Sequence, residues 1–239
     1  MKLRLDKLLA EVTDGSRSEV KQWIRKGRVM VEDAVAMRPE AKVDPEKQRI
    51  CLDGAEICYH AWEYYMLNKP QGVVSAATDT VHDTVLSLIT ESGRSDLFPV
   101  GRLDIDTEGL LFITNDGGLA HHLLSPRHHV DKTYYVEIEG NLSKEDIAAL
   151  ETGMDIGDDR ITMPAVLERY HDGQGSAKLY LTIHEGRYHQ IKRMFARLGK
   201  PVSYLKRVSM GGIKLDPELG SGQYRRLTAE EVAHLKKES

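Results

Sequence analysis

Three carboxylates and one arginine lie close together in the segment 101–110, which reads GRLDIDTEGL. The charged side chains in it are Arg102, Asp104, Asp106 and Glu108. The apolar stretch that ends this segment and continues after it predicts a buried strand. Binding and catalytic residues concentrate on loops that a rigid scaffold carries. The segment is therefore either a catalytic loop with an acidic nucleophile or base, or a turn whose charges are simply solvated.

Two further segments carry polar side chains that packing does not readily explain. In the KTYY sequence, strand alternation places Lys132 and Tyr134 on one face. Thr133 and Tyr135 then lie on the other face, so one tyrosine is predicted to face the core and the other a cleft. The segment 185–194, EGRYHQIKRM, joins a predicted buried strand to a basic helix, whose start favours anions such as phosphate. A purely structural role for both tyrosines is the alternative.

Positive charge is concentrated in two windows, although the chain as a whole is acidic. The formal net charge is −4. Residues 1–28 carry a net charge of +4, and residues 187–207 carry seven basic side chains and no acidic one. A single basic run is typical of a solvated helix face. Two separate runs favour a nucleic-acid-binding surface, because local patches set the field near a polyanion.

The composition excludes several classes of protein. With 239 residues, the chain is long enough for one or two domains that each bury a core. Cys51 and Cys58 are its only cysteines, which excludes a disulfide scaffold and a Cys-rich zinc site and suits a reducing compartment. The charged N-terminal sequence is unlike a signal peptide, and no apolar stretch approaches the roughly 20 residues of a membrane helix. We therefore expect a cytoplasmic protein with no membrane partner.

Hydrophobic spacing predicts the elements that must position these segments. Residues 1–56 are predicted to form a small α/β domain, with helices over 5–12 and 16–26 and short strands over 29–31, 35–37 and 50–52. Residues 57–63 are predicted to be a linker. Residues 64–239 are predicted to form a larger α+β domain, because strands and helices are interspersed there without a βαβ repeat. Its principal strands are predicted over 65–67, 72–75, 110–114, 132–139, 177–183, 202–210 and 213–215. Its helices are predicted over 81–89, 119–124 and 190–198, with two more that begin at capping residues Ser143 and Thr228.

Four motifs then resemble one enzyme family. GRLDIDTEGLL resembles the catalytic-aspartate motif of the pseudouridine synthases, and LNKPQGVVS, SPRHHVDKTYYV and EGRYHQIKRMFARLG resemble the other motifs of the RsuA branch, in that family's order. RLDKLLAE and SRSEVKQWIRKGRVMV resemble the S4 RNA-binding module that this branch carries at its N-terminus. HQIK and SPRHH are closer to the small-subunit members of the branch than to the large-subunit members. The resemblance covers nearly the whole chain.

The resemblance implies a fold, a reaction and a set of catalytic residues. The fold is an S4-like domain followed by a catalytic domain on a mixed, mostly antiparallel sheet flanked by helices. The reaction breaks the N-glycosidic bond of one uridine, rotates the base and rejoins it through C5, without cofactor or metal. Asp104 aligns with the catalytic aspartate, Lys192 with its basic partner, and Ile191 with the apolar residue that packs beneath the base. Tyr134 aligns with the tyrosine that stacks on the flipped base.

The resemblance also implies a surface that binds ribosomal RNA. Arg102 matches an arginine that fills the gap left by the extruded base. The other predicted RNA contacts are Arg4, Lys7, Arg17, Lys21, Arg25, Lys26, Arg28, Lys69, Arg187, His189, Gln190 and Arg193. The expected partner is ribosomal RNA or an assembling small subunit, the expected target is 16S RNA at the uridine-516 site of the family, and the expected state is a monomer.

Three alternatives remain open at this point. One is a large-subunit ribosomal RNA enzyme of the same branch. The second is a non-catalytic S4-type ribosome-assembly protein, which has no use for the set formed by Asp104, Tyr134 and Lys192. The third is a metal-dependent nuclease that uses the acids between residues 104 and 108.

Overall fold

The computed structural model describes residues 2–45, 47–57, 59, 62–92, 94–173 and 175–237. The chain divides into two compact units. The first comprises residues 1–63 together with 89–97, and the second comprises residues 64–88 together with 98–239. The second unit therefore begins at the residue where the sequence predicted the larger domain to begin. Residues 89–97, which the prediction assigned to the larger domain, belong to the first unit.

The first unit is built from two helices and two small sheets. One sheet pairs β1 with β4, and the other has the strand order β3-β2-β5-β6, with antiparallel pairing throughout the described strands. Its elements are β1 (Leu3–Arg4), α1 (Leu5–Val12), α2 (Arg17–Arg25), β2 (Val29–Val31), β3 (Ala34–Val35), β4 (Lys42–Val43), β5 (Ile50–Leu52) and β6 (Ala55–Glu56). The predicted small α/β fold is confirmed.

Helix α2 begins at a capping box, as the sequence predicts. The Ser16 hydroxyl accepts a hydrogen bond from the Glu19 N–H, and the Glu19 carboxylate accepts one from the Ser16 N–H. These bonds satisfy two backbone donors that a helix start leaves unpaired. Val20 and Ile24, one turn apart, are buried against Leu8 and other residues of α1. The opposite side of α2 is left for basic side chains.

The predicted linker at residues 57–63 is in part wrong. Ile57 and Tyr59 pack against the core of the first unit. The Tyr59 hydroxyl donates to a Glu11 carboxylate oxygen at 3.4 Å, and the Arg94 guanidinium lies 5.6 Å from the centre of the Tyr59 ring. Residues 57 and 59 therefore extend the first unit. Cys58 lies outside the described residues.

A sheet of nine strands forms the centre of the second unit. The order is β11-β12-β10-β13-β9-β7-β15, with β14 added to β13 and β8 added to β9. Among the described strands of this sheet, β9 and β13 are parallel and the other pairs are antiparallel, which confirms the mixed sheet. The strands are β7 (Tyr64–Lys69), β8 (Phe98–Pro99), β9 (Glu108–Thr114), β10 (Lys132–Glu139), β11 (Val166–Asp172), β12 (Ser176–Ile183), β13 (Val202–Met210), β14 (Ile213–Lys214) and β15 (Tyr224–Arg226).

Helices cover this sheet. They are α3 (Gly117–Leu124), α4 (Lys144–Thr152), α5 (Gln190–Arg197) and α6 (Ala229–Lys237). Leu123 of α3 and Leu235 of α6 pack with Met66, Leu110 and Phe112 in one apolar core. None of the helices in the described part of the chain combines enough length with enough hydropathy to span a bilayer.

The predicted helix at 81–89 is wrong, and so is the predicted strand at 72–75. The chain makes only a short 3₁₀ turn, Val85–Leu88, and one isolated bridge between Val74 and Thr84. The Val74 N–H donates to the Asp83 carbonyl, and the Val85 N–H donates to the Val74 carbonyl. These tertiary bonds use backbone groups that a helix would need, so the apolar spacing of this segment does not lead to a helix.

Candidate active site

Asp104 lies on the loop between β8 and β9, where a basic residue meets each of its carboxylate oxygens. Lys192 Nζ is 3.2 Å from Asp104 Oδ2, and His189 Nε2 is 3.3 Å from Asp104 Oδ1. His189 immediately precedes α5, and Lys192 is in its first turn. The start of α5 therefore brings both groups to the same carboxylate.

Lys192 also binds the second acid of the loop. Its Nζ lies 2.5 Å from Asp106 Oδ1. Burial lowers the pKa of Lys192, but its bonds to Asp106 and Asp104 raise it by more, so the pKa lies above the ordinary lysine value. Burial likewise raises the pKa of Asp106, and the hydrogen bond and charge of Lys192 lower it by more, so this carboxyl is more acidic than usual. The ammonium and the Asp106 carboxylate therefore both stay ionised at neutral pH.

The three acids of the loop differ in their surroundings. The Asp106 side chain is 63% exposed, whereas the Asp104 side chain is 28% exposed. Glu108 is the first residue of β9, where its Oε2 accepts a hydrogen bond from the Tyr204 hydroxyl at 2.6 Å. The Glu108 carboxylate is therefore bound to Tyr204 of the neighbouring strand β13.

A buried lysine supports the loop. Lys69 is fully buried at the end of β7, and its Nζ donates to the backbone carbonyls of Asp104 (3.0 Å), Thr107 (2.9 Å) and Pro70 (3.0 Å). Burial lowers the pKa of Lys69 to about 8, although the charges of Asp106 and Asp104 oppose that shift. The Nζ also donates to the Ile105 carbonyl at 3.5 Å. The prediction that Lys69 contacts RNA is wrong, because a fully buried ammonium that binds four carbonyls is not available to a phosphate.

Gly72 and Ser75, which follow Lys69 in the chain, also hold the loop in place. The Ser75 hydroxyl donates to the Leu103 carbonyl at 2.9 Å and accepts from the Leu103 N–H at 3.0 Å. The Gly72 N–H donates to the Ile105 carbonyl at 2.8 Å. The LNKPQGVVS motif therefore anchors the residue before Asp104 and the residue after it. Sequence reasoning missed this role, although the order of the two motifs along the chain was available as a signal.

Gly109 permits close approach of the two parallel strands. Its φ is +102°, and a Cβ placed on it would lie 2.2 Å from the Arg207 carbonyl oxygen. No side chain fits at such a distance, so the glycine that ends the acidic motif is required by packing between β9 and β13.

Strand register places Tyr134 on the same face of the sheet as Lys69. Residues directly opposite one another on neighbouring strands share a face. One such row crosses β7, β9, β13, β10 and β12 through Lys69, Gly109, Arg207, Tyr134 and Leu181. Tyr134 is buried, whereas Tyr135 is half-buried on the opposite face and its hydroxyl donates to Glu137 at 2.6 Å. Tyr134 is thus the tyrosine on the side of the sheet whose lysine holds the loop.

Two buried cations near Tyr134 were missed by the sequence analysis. Arg207 donates from Nε to the Leu110 carbonyl at 2.7 Å, and Lys132 donates from Nζ to the Val130 carbonyl at 2.7 Å. Burial, together with the positive charge of Arg207, lowers the pKa of Lys132 to about 8. Alternation predicted that Lys132 shares a face with Tyr134, but nothing in a single sequence indicated that this face is buried.

Helix α5 separates apolar from polar residues. Ile191, Met194 and Phe195 are buried, and Lys192 lies at the loop. Gln190, a predicted RNA contact, is also buried: its Nε2 donates to Glu185 at 2.9 Å, and its Oε1 accepts from the Arg187 N–H at 3.1 Å. The prediction for Gln190 is therefore wrong, because both polar ends of its amide are used within the protein.

Two arginines of the same motif also have partners inside the protein. Arg187 binds Glu185 and the carbonyls of Arg160 and Ile161, and Arg193 binds Asp158 at 2.6 Å. These contacts connect the motif to the segment that precedes β11. Both side chains keep partial exposure, and their contact with RNA stays a prediction.

The basic residues predicted to bind RNA in the first unit lie at its surface, as does Arg102 of the second unit. Arg17, Arg25 and Lys26 are exposed, and Lys21 is half-buried. Others are held by acids through the ion pairs Arg4–Asp6, Lys7–Glu11 and Arg28–Asp53. Surface ion pairs of this kind are weak and can exchange for a phosphate. The positions are compatible with the predicted surface, and the individual contacts stay predictions.

The described residues include no group of three or more His, Cys, Asp or Glu side chains arranged to hold a metal ion. Two acids of the loop, Asp104 and Asp106, share the Lys192 ammonium.

Comparison with known proteins identifies the family. Residues 63–197 match the model of the RNA pseudouridylate synthases, and residues 3–48 match the model of the S4 domain. The chain therefore belongs to the RNA pseudouridine synthase family and carries an S4 RNA-binding domain. It is a pseudouridine synthase, so the alternatives of a non-catalytic S4 protein and of a metal-dependent nuclease do not hold.

Its relatives match over almost their whole length. The chain is 49% identical over 231 residues to the RNA pseudouridine synthase YtzG of Bacillus subtilis, covering 96% of this chain and 97% of that protein. It is 42% identical over 233 residues to ribosomal small subunit pseudouridine synthase A of Escherichia coli K12, covering 97% and 99%. A crystal structure of a pseudouridylate synthase, at 36% identity, superposes with a TM-score of 0.68 and covers 98% of this chain and 99% of that one. The resemblance to the RsuA branch is confirmed.

Proposed function

We propose that this enzyme converts one uridine of the 16S ribosomal RNA, at the uridine-516 site, to pseudouridine, with Asp104 as the reacting carboxylate. The full-length similarity to ribosomal small subunit pseudouridine synthase A supports the choice of RNA. The observation that carries the choice of residue is the pair of contacts at Asp104, with an ammonium at one oxygen and an imidazole at the other.

The reaction is an isomerisation and needs no redox partner. The bond from C1′ of the ribose to N1 of uracil breaks, and a bond from C1′ to C5 forms. The proton on C5 is lost, and N1 gains one, so atoms and electrons balance. Asp104 supplies the carboxylate that acts as nucleophile or base towards the sugar or the ring.

Lys192 positions the Asp104 carboxylate for this step. Its ammonium lies 3.2 Å from Asp104 Oδ2, so it attracts the carboxylate and orients the oxygen that it contacts. When the RNA excludes water from the site, this attraction strengthens, because the local dielectric constant falls.

Tyr134 and Ile191 hold the extruded base. A uridine within folded RNA must leave its stack to reach the loop, at a cost of a few kcal/mol. Tyr134 stacks on the ring and assists the movement of its proton, Ile191 packs against the ring, and Arg102 fills the gap left in the RNA. Stacking is tolerant of base identity, so the shape of the RNA supplies much of the selectivity.

The first unit supplies affinity for the ribosomal RNA. Its exposed basic side chains, with those of the window 187–207, attract the phosphate backbone. We propose that the enzyme acts as a monomer in the cytoplasm, on RNA or on an assembling small subunit.

The test of Asp104 compares two neighbouring acids. Asp104→Asn removes the reacting carboxylate but no positive charge. We therefore expect the rate of pseudouridine formation to fall by roughly 1,000-fold or more, as for other groups that react directly, while RNA affinity is kept. Asp106→Asn is the matched control, because Asp106 also contacts Lys192 but is largely exposed. Pseudouridine formation on 16S RNA transcripts measures the rates. An active Asp104→Asn variant would contradict the proposal.

The target is tested by mapping pseudouridines in ribosomal RNA from cells with and without the gene. We expect one site to disappear from the 16S RNA. Loss of a site from the large-subunit RNA instead would identify the alternative substrate and overturn the assignment.

A further inference from the structure

Tyr188 is an aromatic side chain that the protein holds out of its core. It is 76% exposed, although Ile191, Met194 and Phe195 of the same motif are buried. Isolated exposed apolar residues are common on protein surfaces and need no explanation. Tyr188 differs from them because its ring is stacked on another ring at the candidate active site.

The stack joins Tyr188 to the candidate nucleophile. The centres of the Tyr188 and His189 rings are 3.8 Å apart, and the ring planes are inclined by only 19°. His189 Nε2 in turn lies 3.3 Å from Asp104 Oδ1. The His189 ring is therefore the group between the Tyr188 ring and the Asp104 carboxylate.

One member of the stacked pair has an unusual backbone conformation. His189 has a φ of +48°, in the left-handed region that few residues other than glycine adopt. Such conformations have a cost and persist where the surrounding structure enforces them, often at functional sites. Here the conformation immediately precedes α5, whose first turn supplies Lys192.

We propose that Tyr188 and His189 form a platform on which an unpaired nucleobase of the substrate RNA stacks, beside the uridine that is extruded to Asp104. This inference rests on the proposed function. With one face of the Tyr188 ring against His189, the 76% exposure leaves the remainder of the ring open. A nucleobase fits this surface, because every base has a π-face.

Charge also favours RNA as the occupant. Arg187 and Arg193, close to Tyr188 in the chain, are partly exposed, so they can exchange their acidic partners for the phosphates that flank a stacked base. Once a base covers Tyr188, the His189 ring is held between the stack and Asp104. His189 is then a positioning residue for the Asp104 carboxylate, and Tyr188 is a binding residue.

The test uses the full-length enzyme and an oligoribonucleotide that contains the modified site, with 2-aminopurine next to the target uridine on either side. Stacking on tyrosine quenches 2-aminopurine fluorescence. We expect quenching at one position with the wild type, and its loss with Tyr188→Ala. Affinity should fall roughly 5- to 150-fold in that variant, the range measured for loss of one base–aromatic stack. Tyr188→Phe should keep the quenching and the RNA affinity within about twofold of the wild type, because it retains the ring.

Two further variants sharpen the test. Val81→Ala shortens a side chain that is 80% exposed and is the control, for which no change in affinity is expected. His189→Gln should lower kcat more than it raises KM, because Asp104 loses its positioning partner but Tyr188 is kept. If Tyr188→Ala leaves RNA affinity and quenching unchanged, the platform is overturned. It is also overturned if Tyr188→Phe loses as much affinity and quenching as Tyr188→Ala does. If the wild type forms no pseudouridine in any ribosomal RNA, the proposed function fails instead.

Discussion

At the scale of single residues, three neighbouring acids have three different surroundings. Asp104 meets Lys192 and His189, Asp106 meets Lys192 and solvent, and Glu108 meets the Tyr204 hydroxyl. The composition of the loop does not distinguish them, because all three are carboxylates within five residues. Their partners lie on α5 and β13, about 80 to 100 residues further along the chain.

The contact from Lys192 to two carboxylates leads to a prediction about catalysis. Lys192→Met removes the ammonium and keeps most of the side-chain length. We expect kcat to fall about 10- to 150-fold, the equivalent of losing one hydrogen bond to a charged group, with little change in KM. Rates on 16S RNA over a range of substrate concentrations measure both constants.

Arg197→Gln is the control for Lys192, because it removes one positive charge from an exposed position of the same helix. If Lys192 served only as a phosphate contact, both variants would raise KM by similar factors and leave kcat unchanged. That result would contradict a role at Asp104.

At the scale of elements, the loop that carries Asp104 is held mainly by hydrogen bonds to its backbone groups. Lys69 at the end of β7 donates to the Asp104, Ile105 and Thr107 carbonyls, Ser75 binds both backbone groups of Leu103, and the Gly72 N–H donates to the Ile105 carbonyl. These bonds fix the path of the main chain and leave the Asp104 side chain free to meet α5. Glu108 and Gly109 then form the parallel pairing of β9 with β13, which sets the loop beside the row that contains Tyr134.

The close approach at Gly109 predicts a large loss of stability on substitution. Gly109→Ala places a Cβ about 2.2 Å from the Arg207 carbonyl oxygen in a backbone conformation with φ of +102°, so the two strands must separate. We expect the free energy of unfolding to fall by about 3 kcal/mol or more, from overpacking and backbone strain together.

Gly117→Ala is the matched control for Gly109→Ala. Gly117 begins α3, its φ is not positive, and nothing lies within 4 Å of an added Cβ. Its stability should stay the same or rise slightly, because alanine favours a helix. Urea unfolding followed by circular dichroism measures both variants, since Trp23 and Trp62 lie in the first unit and report poorly on β9. Equal stability of the two variants would contradict the packing argument.

At the scale of the whole molecule, the charge distribution matters more than the net charge. An enzyme with a net charge of −4 binds a polyanion because its positive charges are grouped. In the first unit, α2 buries Val20 and Ile24 and leaves Arg17, Arg25 and Lys26 exposed at the surface. The acidic excess lies elsewhere along the sequence.

The grouped charges predict a change in salt dependence. Replacing Arg17, Arg25 and Lys26 together with glutamine should weaken RNA binding and reduce the slope of log K against log salt concentration by roughly 2 to 3, because each lost phosphate contact releases about one fewer counterion. The turnover number at saturating RNA should be kept. Filter binding across a salt titration provides the measurement.

The control for the grouped charges removes the same number of positive charges, from exposed lysines outside the two basic windows: Lys47, Lys144 and Lys214, each replaced by glutamine. A slope that changes equally in both triple variants would show that only total charge matters, and the role of the α2 surface would be rejected.

Local patterns in the sequence predicted several elements of this enzyme correctly. The capping box at Ser16 and Glu19 predicted α2, and the alternation in β10 predicted which residues share its faces. Ordered motifs indicated the family and selected Asp104. Local rules succeed for these features because capping and alternation involve residues only a few positions apart.

Other features were decided only by tertiary structure. The burial of Lys69 and Gln190, the pairing of His189 with Asp104 and the conversion of the predicted helix at 81–89 to a short 3₁₀ turn each depend on partners distant in sequence or on the environment of a whole face. From the sequence alone, Lys69 was interpreted as a surface charge, and only the fold shows that it is buried. The sequence by itself determined which chemical groups are present and the local elements that carry them; the tertiary structure decided which groups meet, because burial and charge pairing depend on distance in space.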